Sequence, residues 1–112
     1  MRTVFVSGPY TFPDPAVNVR NAILAADHLM TLGFAPYVPH LTHFQHMLAP
    51  RPYEDWIALD LEWVSRSDCL LRLPGESPGA DREVAYAKER GIPVFESIDV
   101  LYVTISKGGE GD

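Results

Sequence analysis

The segment from Asp68 to Glu83 constrains the fold more than any other part of this chain. It reads as a buried strand, a turn and a helix that carries a carboxylate inward. Cys69 to Leu73 is a short apolar run bounded by turn residues, the pattern of a central strand. Ser77 followed by Pro78 is an N-cap residue with proline at the first helical position. Ala80, Val84 and Ala87 then recur at helical spacing, and Gly91 with Pro93 beyond it ends the helix. Glu83 falls on that stripe, between Ala80 and Ala87, where a core-facing helix should be apolar. An acid on an inward helix face, just past the C-terminal end of a parallel strand, is where open α/β sheets place their chemistry.

The rest of the chain repeats the strand-then-helix pattern. Thr3 to Val6 is a buried strand running into the loop Ser7-Gly8-Pro9-Tyr10-Thr11, a usual ligand-binding position in parallel α/β folds. Asp14-Pro15 signals a helix start, and Val19, Ala22, Ile23, Ala26, Leu29 and Met30 give its stripe up to Gly33. Ala35 to Val38 is a second short strand. The region 39–51, rich in histidine and proline, is predicted to be an irregular loop over the strand ends. Pro52 opens another helix, whose inward stripe is Tyr53, Trp56, Ile57, Asp60 and Val64. Asp60 interrupts that apolar face as Glu83 interrupts its own. Pro93 to Phe95 is a further strand, and the apolar segment 99–105 is predicted as strand or sheet edge. A single domain over 1–106 and a disordered tail over 107–112 complete the reading.

With 112 residues, the chain can build one domain around one core. Its hydrophobic content of 46% and charged content of 21% are ordinary for a soluble globular protein. A formal net charge of -6 argues against a nucleic-acid polymer or an anionic membrane as partner. No apolar run reaches membrane-spanning length and the chain enters a strand at once, so the expectation is a cytoplasmic protein without signal peptide or transmembrane helix. Cys69, the single cysteine, is expected to be a small buried apolar residue.

Burying a carboxylate without a partner costs several kcal/mol, on the order given by transfer data, or raises its pKa until it is neutral. Such groups cluster at functional sites. Two carboxyls facing one cleft are the apparatus for cleaving a glycosidic bond through an oxocarbenium-like transition state: one attacks or stabilises the anomeric carbon, the other manages the leaving group's proton. The structural alternative is that both acids pair with buried arginine, for which Arg20 and Arg72 are available. Ser77 and Gly79, at the start of the Glu83 helix, offer backbone N–H groups and a helix dipole to an anion such as phosphate; alternatively Ser77 only caps its helix. His40, His43 and His46 are spaced by three and could attract a metal, but a loop after a strand more often presents histidine to substrate or solvent. Tyr53, Trp56 and Trp63 read as core or interface aromatics, with stacking on a base as the functional alternative.

From the Ser7-Gly8 strand to about Phe95, these residues together resemble the nucleoside 2-deoxyribosyltransferase superfamily, including its 2′-deoxynucleoside 5′-monophosphate N-glycosidase branch. The most specific part is Asp60-Leu61-Glu62-Trp63, then Ser67-Asp68, an apolar strand, and the turn from Ser77 to Glu83. The resemblance implies that Glu83 is the nucleophile and that Asp60 handles the proton of the base. It further implies substrate-binding roles for Ser7, Gly8, Pro9, Tyr10, His40, His43, Ser77, Gly79 and Asp81. Ser77 stands where the transferases have Asp and the monophosphate glycosidases have Ser, which tilts the expected substrate towards a nucleotide. The chain departs from the family pattern at Asp81, which replaces the second glycine of the turn, and at Phe5, which aligns with a tyrosine that orients the nucleophile. The loop arginine of the glycosidases is also missing.

The βαβα alternation calls for a three-layer sandwich, flavodoxin-like or Rossmann-like, with a roughly five-stranded parallel sheet. The expected activity is cleavage or transfer at the N-glycosidic bond of 2′-deoxynucleosides or their 5′-monophosphates. The alternative is a non-catalytic nucleotide-binding or sensing module of the same fold. A homo-oligomer is expected from the resemblance, and no metal or organic cofactor is needed for the chemistry.

Overall fold

The computed structural model describes residues 1–110, with side chains through Ser106; the predicted tail over 107–112 falls outside those described side chains. Four parallel strands form one sheet in the order β2-β1-β3-β4: β1 Thr3–Ser7, β2 Ala35–Tyr37, β3 Cys69–Arg72 and β4 Val94–Phe95. Five α-helices accompany them: α1 Pro15–Thr31, α2 Thr42–Leu48, α3 Tyr53–Ser65, α4 Pro78–Glu89 and α5 Ile98–Glu110. The order places β1 and β3 at the centre, which is why their apolar residues run without a polar break.

Alternation along the strands sorts side chains to the two faces of the sheet. Val4 and Val6 of β1 and Cys69 and Leu71 of β3 pack with Ala22, Ala26 and Leu29 of α1 and Leu101 of α5. Phe5 and Leu70 point the other way and pack with Val64 of α3 and Ala87 of α4. Burying each large apolar side chain of this kind contributes about 1.5–3 kcal/mol. Ser7 shares its face with Phe5, two residues further along β1, and so emerges at the C-terminal edge of the sheet under α4.

The helix starts follow the capping signals. Asp14 accepts a hydrogen bond from the Ala16 amide at 2.9 Å, and Ser77 Oγ accepts one from the Ala80 amide at 3.1 Å. Each cap is followed by proline in the first turn. The turn before α4 is held by Arg72, which donates to the carbonyls of Leu73 and Gly75 and pairs with Asp81. Gly75 has φ +118°, and a Cβ there would meet Pro9 Cγ at 2.6 Å, so this turn requires glycine.

Two expectations are corrected. The segment 99–105 is helix rather than strand, leaving a sheet of four strands among the described residues instead of five. Its apolar run suggested a strand or sheet edge, yet Ile98, Leu101 and Ile105 lie at helical spacing and seat against the core, and the Ser97 side chain accepts from the Val100 amide at the helix start. The region 39–51 is also not irregular. Pro39–Leu41 forms a 3₁₀ turn that leads directly into α2, with Thr42 Oγ1 bonded to the Pro39 carbonyl at 2.7 Å. No described helix is long and apolar enough to cross a membrane.

Candidate active site

The C-terminal ends of β1 and β3 open into a cavity of about 610 Å³, within the range of small-molecule sites. Its base holds both sequence-selected acids. Asp60 reaches it from α3 and Glu83 from α4, and these helices are tied together by the Arg82–Glu54 ion pair at 2.8 Å. Glu83 is only 5% exposed and accepts a 2.6 Å hydrogen bond from Ser7 Oγ. Burial raises the pKa of Glu83 and of Asp60. The two carboxyls also share a hydrogen bond and repel each other's charge, whereas the Ser7 hydroxyl and the Arg72 guanidinium favour ionised Glu83. The two carboxyls therefore resist ionising together and titrate as a unit.

The arginine alternative does not describe this geometry. Arg72 is ion-paired with Asp81 at 3.3 Å, and Arg20 is exposed on α1, which packs against the opposite face of the sheet. Phe5 lies buried beneath the site and stacks on Tyr37 at 5.7 Å between centroids, and Tyr37 stacks in turn on Trp63. The hydroxyl that orients Glu83 comes from Ser7.

Of the sequence-selected binding residues, Gly8, Tyr10, His40, His43, Ser77 and Gly79 line the cavity with Asp60 and Glu83. Ser7 sits below, committed to Glu83. Pro9 contributes its carbonyl, which accepts a 2.9 Å hydrogen bond from His40 Nε2. Asp81 does not line the cavity: its side chain is 73% exposed and paired with Arg72, which offsets its charge in the first turn of α4. Gly8 is required by close approach, because a Cβ would lie 2.9 Å from Leu73 Cβ. Tyr10 is hydrogen-bonded to His43, and the loop that carries it is held by buried Asn18, whose amide donates to the Tyr10 and Phe12 carbonyls at 3.0 Å each.

Thr11, Phe12, Thr42, Arg51 and Glu76, which the sequence did not mark for binding, complete the wall together with His46, the third of the evenly spaced histidines. Prolines flank α2 and histidines interrupt it, which hides its helical turns in the sequence, and Arg51 lies in the loop that follows it. His46 Nδ1 accepts from Trp56 Nε1 at 2.9 Å and from the Arg51 amide at 3.3 Å, which fixes the aromatic wall. Among the described residues no group of three His, Cys, Asp or Glu side chains is arranged to hold a metal ion. The arrangement can hold a small organic ligand against two acids that share a hydrogen bond.

Residues 2–97 match the family model of a domain of unknown function, DUF7768. No curated protein matches this sequence. Among solved structures, the fold is similar to the 2-deoxyribosyltransferase of the psychrotolerant bacterium Bacillus psychrosaccharolyticus, with 17% identity and a TM-score of 0.59. That match covers 86% of this chain and 75% of the other. It is also similar to the 2-deoxyribosyltransferase of Leishmania mexicana, with 16% identity and a TM-score of 0.62, over 84% of this chain and 62% of the other. At these identities the likeness is one of fold.

Proposed function

We propose that this chain, which belongs to the DUF7768 family, cleaves or transfers at the N-glycosidic bond of 2′-deoxynucleosides or their 5′-monophosphates. The observation that carries the reading is the Asp60–Glu83 pair at the base of one cavity, with Glu83 oriented by Ser7 at 2.6 Å. The fold shared with two 2-deoxyribosyltransferases supports it.

One proton on the pair suffices for the chemistry. When it resides on Asp60, Glu83 is a carboxylate held by the Ser7 hydroxyl. Glu83 attacks C1′ as the bond from C1′ to the base nitrogen breaks, and Asp60 gives its proton to the departing base. The product is a glycosyl ester on Glu83. An acceptor then attacks C1′, Asp60 takes the acceptor's proton, and the Glu83 carboxylate is released. Water as acceptor makes the protein a glycosidase; a second base makes it a transferase. The start of α4, where Ser77 and Gly79 line the cavity beside Glu76, offers backbone N–H groups to a 5′-phosphate.

Chromatography of free base tests this reading. Purified protein is incubated with deoxynucleosides and their 5′-monophosphates, with and without an added second base. Base release that disappears in Glu83→Gln supports the reading, and dependence on the added base separates transfer from hydrolysis. A panel with no base release from any substrate overturns it.

A further inference from the structure

Two buried side-chain atoms in the described structure lack a hydrogen-bond partner: His40 Nδ1 and Asp60 Oδ1. Both residues line the same cavity. The state of the histidine is fixed by its other nitrogen. His40 Nε2 lies 2.9 Å from the Pro9 carbonyl, which can only accept, so Nε2 carries the hydrogen. His40 is 4% exposed, and burial lowers its pKa, so it is neutral and Nδ1 presents a bare lone pair. An acceptor buried without a donor is unfavourable, which makes it a feature in need of a partner.

None of the nearby donors with a hydrogen-bond partner bonds to His40 Nδ1. The Tyr10 hydroxyl bonds to His43, Thr42 Oγ1 to the Pro39 carbonyl, Trp56 Nε1 to His46 and the Arg51 guanidinium to Asp55. His40 Nδ1 is therefore an acceptor on this wall that asks for a donor. Resting on the N-glycosidic reading above, we infer that His40 selects the base through an exocyclic amino group, whose N–H its Nδ1 accepts. Such a group supplies two N–H donors. A base with a carbonyl on that edge would set lone pair against lone pair and leave His40 Nδ1 unpaired. Amino-bearing bases, the chemistry of adenine and cytosine, are then preferred over oxo-bearing ones such as thymine and uracil.

The test compares 2′-deoxyadenosine with purine 2′-deoxyriboside, which carries hydrogen in place of the amino group, in wild type, His40→Leu and His40→Asn. Loss of the amino group is expected to lower kcat/KM roughly tenfold to a hundredfold in wild type. His40→Leu should remove most of that discrimination, and His40→Asn, whose amide oxygen still accepts, should keep part of it. The change in the ratio between proteins isolates His40, because the intrinsic leaving-group difference is common to all three. Equal use of the two nucleosides by wild type, an unchanged ratio in folded His40→Leu, or a preference for thymidine would each overturn the inference while leaving the glycosidic reading intact. If no nucleoside is turned over, calorimetric titration of wild type with free adenine and free purine decides separately. Adenine bound at least tenfold more tightly would sustain the role of His40 after the catalytic reading had failed; equal or absent binding would overturn it.

Discussion

The two faces of the sheet use the same strands for different ends. On the α1 and α5 face, Val4, Val6, Cys69 and Leu71 meet Ala22, Ala26, Leu29 and Leu101 in a continuous apolar core. On the α3 and α4 face, Phe5, Leu70, Val64 and Ala87 form a smaller cluster, and the helix stripes that should extend it carry Asp60 and Glu83 instead. One step along β1 moves a side chain from one face to the other, so Val6 is core and Ser7 holds the candidate nucleophile. The first face supplies stability without chemistry. The second gives up packing and accepts two carboxyls whose burial is unfavourable, and that cost can persist because the first face offsets it.

Four experiments would break or sharpen this contrast. The largest effect is expected for Glu83→Gln, with a loss of base-release activity on the order of 10⁴ or more, measured by single-turnover chromatography, and with the fold retained. Leu101→Ala, on the apolar face, should instead cost about 2–5 kcal/mol in urea denaturation and leave kcat/KM of the folded protein nearly unchanged. Loss of activity without loss of stability there would erase the distinction between the faces. Ser7→Ala removes a hydrogen bond to a charged group and should lower kcat/KM roughly tenfold to a hundredfold. It should also shift the acid limb of the pH–rate profile upward, since the hydroxyl favours ionised Glu83.

The smallest effect concerns stability against pH. A carboxyl raised by burial binds its proton more tightly in the folded state than in the unfolded chain. Its contribution is therefore fully favourable below the unfolded value near pH 4 and is lost as pH rises through the raised folded value. Glu83→Gln removes that loss, so it should be more stable than wild type at neutral and alkaline pH, by roughly 1–2 kcal/mol, with the advantage vanishing in acid. Thermal melts across pH measure it. A variant less stable than wild type at pH 8 would mean that the Glu83 carboxylate is better paired than its surroundings indicate.

Much of this contrast was legible in the sequence because it rests on local rules. Ser77-Pro78 and Asp14-Pro15 fixed two helix starts, and helical spacing put Asp60 and Glu83 on inward faces before any partner was known. What could not be read depends on distance along the chain. Ser7 and Glu83 are 76 residues apart, and nothing local indicates that the hydroxyl after β1 belongs to the helix after β3. Asp81 looked like a charge within the site because it is adjacent to Gly79 and Glu83 in sequence. Helix geometry instead sends it outward to Arg72. The apolar run over 99–105 suggests a strand, but a short apolar run is a weaker signal than the helical spacing of Ile98, Leu101 and Ile105. The unpaired lone pair on His40 became visible only when the Pro9 carbonyl fixed its tautomer.

The central claim is that Glu83 forms a covalent bond to the sugar, and intact-protein mass spectrometry tests it most directly. A deoxynucleoside carrying fluorine at C2′ destabilises the oxocarbenium-like transition state, so that ester hydrolysis lags behind ester formation. The account predicts a mass increase of one fluorinated deoxyribosyl group, located on Glu83 by peptide mapping and absent in Glu83→Gln. Base release without any adduct, or an adduct that survives in Glu83→Gln, would contradict it.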